Sequence, residues 1–566
     1  MQNSRRLVKL RSAWLWLVPL AFVLVFFYQP LVAIFRLAFS KAFVQGLAAF
    51  KLEQVTRPLG FTVWQALLST LLTLALGLPS AYLFSHFTFP GRKTLRLLTL
   101  LPFILPTVVT AAAFNALLGP RGLLNLGLMA LFKLPSAPIH LLNSLPAILL
   151  AHVFYNTSVV IRVVSASWSR LSGRLHQAAQ TLGASPWQTF KTVTLPLLMP
   201  SILSASLLVF LFNFSSFGVV LMLGGPRFAT LEVEIYTQAM QMLNLPLASL
   251  LSLVQLSFTL LITLLYNRQV LPRVGKTALN LESTPLPRPR KPAEKLLAIV
   301  LIVTLVLLVA APLLSLVARS FLTLEAARGE RGDVQTGLTL RYYLELFQNR
   351  TGSLFYVPPL LAIRNSILYA LVTVVLSGIL GLLAAYAMQR QGGLRRVLEP
   401  VLMLPLGASA VTLGLGFLVV FNHPPFNNPR FPLLIPIAHT LVALPLVLRV
   451  LTSALRGIPE SLRQAARVLG AGPLHVFWSV DLPLLLRPLL AGMVFAFTVS
   501  LGEFGASSFL STPEMPTIPV AIYRYISQPG ALNYGQALAM STILLLVCAL
   551  GTLVIERTRL PGEELF

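Results

Sequence analysis

Leu175-His176-Gln177-Ala178-Ala179-Gln180-Thr181-Leu182-Gly183 is repeated, 287 residues downstream, as Leu462-Arg463-Gln464-Ala465-Ala466-Arg467-Val468-Leu469-Gly470. Each copy continues to a second fixed point, Val193-Thr194-Leu195-Pro196 and Val480-Asp481-Leu482-Pro483. Both therefore read Q-A-A-x3-G-x9-V-x-L-P. Ala178, Ala179 and Leu182 fall at one-turn spacing and make a small apolar strip on a short helix. Gly183 and Gly470 suit the left-handed exit of a helix C-terminus. The spacing predicts a second helical segment after each glycine, ending before Pro196 and Pro483. A surface helix with a small apolar face suits docking in a partner's groove.

The repeat is wider than the motif. The same 287-residue shift lays Ala151–Tyr236 on Ala438–Tyr523 without a gap, with roughly a third of positions identical. His152 falls on His439, Arg162 on Arg449, Phe217-Gly218 on Phe504-Gly505 and Ile235-Tyr236 on Ile522-Tyr523. Around these copies lie apolar runs near the length needed to span a bilayer, about 20 residues. They cover 13–35, 61–86, 97–118, 145–165, 201–223, 247–266, 296–318, 363–388, 397–421, 433–453, 488–511 and 536–555. The expected fold is an all-α polytopic membrane protein with about twelve transmembrane helices in two tandem six-helix repeats. Residues 1–266 form the first transmembrane domain, 267–295 a Pro- and Arg-rich cytoplasmic linker, and 296–566 the second transmembrane domain. The motif loops occupy about 170–200 and 457–487. The repeats run parallel, which implies two halves about an axis along the membrane normal with a pathway between them.

Composition agrees. The chain has 566 residues, 56% hydrophobic and 11% charged, with a mean hydropathy of +0.80. A soluble domain carries roughly a quarter charged residues, so the polar coat is missing. Forty-three Lys and Arg against 17 Asp and Glu give a net charge of +26. In a polytopic protein that surplus belongs to the cytoplasmic loops, and no nucleic-acid partner is needed to explain it. Arg92, Lys93 and Arg96, and Arg390, Arg395 and Arg396, form matching inner clusters, which puts both termini in the cytoplasm. The run from Ala13 to Phe35 is too long for a cleaved leader and reads as a retained first helix. The lone Cys548 excludes an intrachain disulfide and reads as packing.

At the two motifs the chain resembles the permease subunits of binding-protein-dependent ABC importers, whose EAA loop reads E-A-A-x3-G-x9-I-x-L-P. Gln177 and Gln464 replace the glutamate, keeping hydrogen bonding and losing charge. The resemblance implies that Gln177, Ala178, Ala179, Gly183, Leu195, Pro196, Gln464, Ala465, Ala466, Gly470, Leu482 and Pro483 form two ATPase-coupling loops of the type I (MetI-like) permease fold. It implies two copies of an ABC ATPase subunit carrying ATP and magnesium, and an extracytoplasmic solute-binding protein. This chain would hold no cofactor or metal, would not be an enzyme, and would sit in a bacterial inner membrane. Two fused halves, with Leu150–Asn156, Phe214–Gly225 and Ser500–Gly505, look most like the ferric-iron and thiamine importers. Sulfate/molybdate-type or polyamine-type permeases, and an ion-coupled secondary transporter with two six-helix halves, are the alternatives.

Glu503 is the one acidic residue well inside an expected span, where a charge normally faces protein or water. It either lines the pathway and meets a cationic solute or braces neighbouring helices. Ser216, its repeat counterpart, and Asn213 complete the candidate pathway. His152 and His439 have no second ligand at metal spacing and read as interhelical hydrogen-bonding groups. Arg162 and Arg449 read as snorkelling to the headgroups. Gly275-Lys276-Thr277 lacks the upstream glycine and strand of a P-loop, so no nucleotide engine is expected in the chain.

Overall fold

The computed structural model describes residues 15–40, 51–171, 173–225, 227–265, 286–323, 337–348, 357–390, 392–421, 426 and 433–558. The linker segment 267–285, with Gly275-Lys276-Thr277, lies outside them, as do both chain ends and the side chains of Arg390, Arg395 and Arg396. Apart from one isolated bridge between Leu322 and Leu338, the described residues form no sheet.

Six helices cross in the first half: α1 (Leu15–Ala38), α2 (Glu53–His86), α3 (Thr107–Leu118), α4 (Leu145–Ser169), α5 (Pro186–Phe214) and α6 (Leu245–Leu265). Six follow in the second: α7 (Pro292–Phe321), α8 (Pro359–Arg390), α9 (Ala410–Phe421), α10 (Leu434–Gly457), α11 (Pro473–Gly502) and α12 (Ala531–Thr558). Among the described residues eleven helices are long and apolar enough to span, α3 only when taken on through Phe132, and the pair Leu398–Gly407 plus Ala410–Phe421, bent by 101°, makes a twelfth when counted as one span. The described residues thus hold eleven to twelve spans, in line with the expected dozen.

Burial orders them in layers. About 72% of the apolar window of α4 and 67% of that of α10 is buried, against 28% for α1 and 33% for α7. Thus α4 and α10, which carry the two repeated histidines, are the most buried spans, and each half's first helix is among the least buried. Those first helices pack on the opposite half. Trp16, Val23 and Phe27 of α1 cluster with Leu413, Phe417 and Leu441, and Pro30 lies against Gly416, where an added Cβ would sit 2.8 Å away. On α7, Ala298 and Leu301 join Leu83 and Phe87, and Leu305 joins Phe84 and Ile161. The halves are interlocked by apolar contact, in lipid where close packing rather than water exclusion holds helices together.

Hydrogen bonds reproduce the internal symmetry. Thr62 Oγ1 accepts from the Leu231 N–H at 2.8 Å, and Ser366 Oγ accepts from the Ile518 N–H at 2.8 Å. Leu231 and Ile518 are 287 residues apart, whereas Thr62 and Ser366 are 304 apart, so the first half carries 17 more residues in between. The short helix Leu123–Phe132 lies in that extra stretch, pinned by Asn125, whose amide bonds Gly119 and Ile139.

Four spans expected to be continuous are broken. The 97–118 run breaks at Leu105-Pro106, 201–223 at Ser215–Phe217, 397–421 at Ala408-Ser409, and 488–511 at Glu503-Phe504. Proline explains the first, since it denies the helix a donor and drives Leu105 to an extended ψ of 140°. Irregular backbone at membrane depth survives where it is buried in protein or lines a cavity. All four breaks border the same one.

Candidate functional site

That cavity measures about 410 Å³ and is walled by the four breaks together with His152, Tyr155, Asn156 and Glu232. Phe217 and Phe504 meet at it. These repeat counterparts stack on each other with centroids 5.2 Å apart and planes 21° from parallel. Each is backed by a tyrosine of its own half: Phe217–Tyr236 and Phe504–Tyr523 are both 5.4 Å apart, tilted by 58° and 57°. Residues on opposite halves that are images of one another touch only at the symmetry axis, so the stack lies on it. Both phenylalanines are buried. The short helices that follow them, Gly218–Leu223 and Gly505–Leu510, approach α3 and α9 closely; a Cβ on Gly505 would sit 2.9 Å from that of Ala410.

Beside the stack the chemistry of the halves diverges. In the first, His152 Nδ1 lies 2.9 Å from Ser69 Oγ, and Nε2 lies 2.9 Å from Ser216 Oγ. In the second, His439 Nδ1 lies 2.8 Å from Ser500 Oγ, and Nε2 contacts Ser507 Oγ at 2.9 Å and Glu503 Oε2 at 3.2 Å. Both histidines are held between helices by hydroxyls.

Glu503 is not inside a helix. It follows α11 with an extended ψ of 121°, because the helix stops at Gly502. Its carboxylate turns onto the start of the next helix, accepting from the N–H groups of Ala506 (2.9 Å) and Ser507 (3.0 Å) and from Ser507 Oγ (3.1 Å). An anion there satisfies donors that a helix start leaves open.

Asn213 and Ser216 border the cavity as well. Asn213 Oδ1 accepts from Asn156 Nδ2 at 2.7 Å, and its backbone carbonyl accepts from Gln65 Nε2 at 2.8 Å. Its Nδ2 has no partner among the described residues. A second buried acid, Glu232, was overlooked in the sequence because Leu231–Tyr236 falls between expected spans. Gln255 of α6 donates to it at 2.6 Å.

The motif loops lie at the other end of α5 and α11. Twenty residues separate Leu195 from Phe214, about 30 Å at 1.5 Å per residue. Helices Gly173–Thr181 and Glu460–Val468 end in glycines with φ of +84° and +86°. Gln177, Ala178, Gln464 and Ala465 are exposed, Ala179 and Ala466 half-buried. Past each loop helix a matched apolar set faces outward: Leu182 is 88% exposed and its counterpart Leu469 87%, Trp187 70% and its counterpart Leu474 71%.

The second helical segments do not end before Pro196 and Pro483. A π turn at Phe190–Thr194, and its copy at Phe477–Asp481, lets Leu195 and Leu482 bond five residues back. The wider turn keeps the proline ring clear of the preceding carbonyls. The helix therefore runs unbroken from the loop to the aromatic stack.

Arg463 ties the second loop helix down. Buried, it donates from Nε to Asp481 Oδ1 at 2.7 Å and from Nη1 to Glu460 Oε2 at 3.2 Å. The Gln389 amide, with its oxygen turned inward, accepts from Nη1 at 2.7 Å. Burial opposes the guanidinium's charge, but the two carboxylates outweigh it and hold its pKa above the ordinary arginine value. His176 and Thr194 stand at the equivalent positions of the first half.

A family model described as the binding-protein-dependent transport system inner membrane component matches residues 73–276 and, again, 377–558. The chain belongs to this family. Its transport-component repeat is thus present twice in one polypeptide, and the protein is a multi-pass inner-membrane permease of the ABC importer type. A probable ABC transporter permease protein, y4fN, of Sinorhizobium fredii is 29% identical over 92% of both chains. The thiamine transport system permease protein ThiP of Escherichia coli K12 is 29% identical over 89% of both. A crystal structure of a bacterial ABC transporter importing alginate aligns at 20% identity and a TM-score of 0.41, covering 48% of this chain and 97% of its own.

Proposed function

We propose that this permease conducts an organic cation of the thiamine class through the cavity at the symmetry axis. The observation that carries the reading is the charge of the cavity wall. In a chain of net charge +26, the wall contains Glu232 and Glu503 and neither Lys nor Arg. Aromatic rings and carboxylates in a low-dielectric site favour a cation. The relatedness to thiamine permeases supports the same class, and the unpartnered Asn213 amide offers a donor to a polar solute. The extracytoplasmic binding protein delivers the cation to the end of the molecule away from the loops. Two ATPase subunits, which bind ATP and magnesium, dock on Gly173–Thr181 and Glu460–Val468. Leu182 and Leu469 enter their grooves, and both chain termini lie on that cytoplasmic side. Closure of the ATPases draws the loops together, and the continuous helices α5 and α11 carry the motion to the axis.

The test is ATP-dependent uptake of radiolabelled thiamine by proteoliposomes holding the permease, its ATPase and its binding protein. Wild type accumulates thiamine, and Leu182→Asp/Leu469→Asp loses both ATPase co-purification and uptake. Ferric-iron uptake without thiamine uptake would overturn the cargo assignment. Full ATPase capture by the Asp variant would overturn the docking assignment.

A further inference from the structure

We infer that Phe217, Phe504, Tyr236 and Tyr523 form a gate that selects planar cationic rings. The inference rests on the cationic cargo proposed above and names the element that recognises it. Three observations meet here. The phenylalanines are symmetry mates stacked on the axis, so a solute passing between the halves must part them. Both lie in helix breaks, at the ends of α5 and α11, and the other ends of those helices carry the motif loops. The cavity wall continues past them to Leu211 and Thr498, more than a turn nearer the loops.

The spacing sets what can pass. The rings stand 5.2 Å apart. A flat ring sandwiched between them needs about 3.5 Å on each side, or centroids about 7 Å apart. Parting the pair by about 2 Å therefore turns a closed stack into a slot for one planar ring. In that slot two aromatic faces contact the cation, within the roughly 6 Å over which a ring attracts positive charge. The tyrosines, each tilted against the phenylalanine of its own half, hold the rings in register as they separate. The gate thus closes by stacking on itself and opens by stacking on its cargo.

The experiment reconstitutes the full chain with its ATPase and binding-protein partners and compares Phe217→Leu/Phe504→Leu with Phe217→Tyr/Phe504→Tyr. Assembly with the ATPase on size exclusion is the folding control. The leucine pair lowers kcat/KM for thiamine uptake at least about tenfold, and the tyrosine pair stays within about threefold of wild type. Wild-type uptake by the leucine pair overturns the inference, because leucine seals a gap without offering a π face. A second measurement is independent of cargo. Liposomes holding the permease alone are loaded with 1-methylnicotinamide, a planar pyridinium cation. The Phe217→Ala/Phe504→Ala variant releases it at least about tenfold faster than wild type, and equal retention overturns the gate. Should wild type transport no thiamine, the cargo assignment falls and the release result alone decides the gate.

Discussion

Replacing Glu503 by glutamine separates two roles that a carboxylate beside a transport cavity can have. The carboxylate accepts two backbone N–H groups and one hydroxyl, all within 3.1 Å, at the start of Gly505–Leu510. The glutamine oxygen can serve one of those N–H groups, while its NH2 turns a donor toward the rest and toward His439. A hydrogen bond to a charged acceptor contributes about 1.5–3 kcal/mol, and a buried donor left open costs about 1–3 kcal/mol. The segment bearing Phe504 should therefore lose about 2–4 kcal/mol of local stability. At 1.4 kcal/mol per decade, its open population rises between about 30-fold and several hundred-fold. Hydrogen exchange by mass spectrometry, read on peptides covering Ala506 and Ser507, measures this in the full chain in nanodiscs. The expected outcome is accelerated exchange confined to that segment, together with a KM for thiamine raised several-fold, about 3- to 10-fold, because one of the two wall carboxylates is gone. Unchanged exchange would show that the capping bonds are incidental, and an unchanged KM would show that the carboxylate does not draw the cation.

Two further outcomes concern the loops. Arg463→Met strands the buried Asp481 carboxylate, and one-sided removal of a buried pair costs about 3–5 kcal/mol, whereas Arg463→Met/Asp481→Leu recovers most of it. ATPase affinity, titrated by fluorescence of the exposed Trp478 near the second loop, should fall in the single variant and largely return in the double. Gly470→Ala meets no atom within 4 Å, so its cost is the left-handed backbone alone, about 1–2 kcal/mol. It should weaken ATPase binding about tenfold, Gly183→Ala equally, and asparagine at either place less.

The sequence made the spans, their number and the two-fold legible, because each rests on a local pattern: apolar runs of bilayer length, and a motif repeated at constant spacing. The short loop helices and the left-handed glycines after them were legible for the same reason. What escaped it were breaks inside apolar runs. Phe214 to Gly225 and Ser500 to Leu510 have ordinary hydropathy, and nothing local says that the backbone turns at Ser216 and Glu503. The turns exist because glycines and a proline from different spans converge there, a tertiary fact. Proline misled in the opposite direction at Pro196 and Pro483, where a π turn absorbs it. Phe217 and Phe504 were visible as repeat markers, but a self-matching position becomes a contact only when the axis passes through it. Arg463 and Asp481, 18 residues apart, are joined by a fold-back that periodicity does not encode.

The departures from symmetry follow a direction. Ser216 is the counterpart of Glu503, Thr194 of Asp481 and His176 of Arg463, so the second half has two carboxyls and a guanidinium where the first has two hydroxyls and an imidazole. The backbone stays paired throughout, with glycine φ values of +84° and +86°, twin π turns and twin Phe–Tyr contacts. A permease built from two identical chains would have to add a second Glu503 to a cavity wall that already holds Glu232 and Glu503, where like charges repel in low dielectric. Fusion removes that constraint. The second half can then anchor its loop with the Arg463–Asp481 pair and its side of the aromatic stack with the Glu503 carboxylate, while at the corresponding place beside the stack the first half holds His152 with the hydroxyls of Ser69 and Ser216.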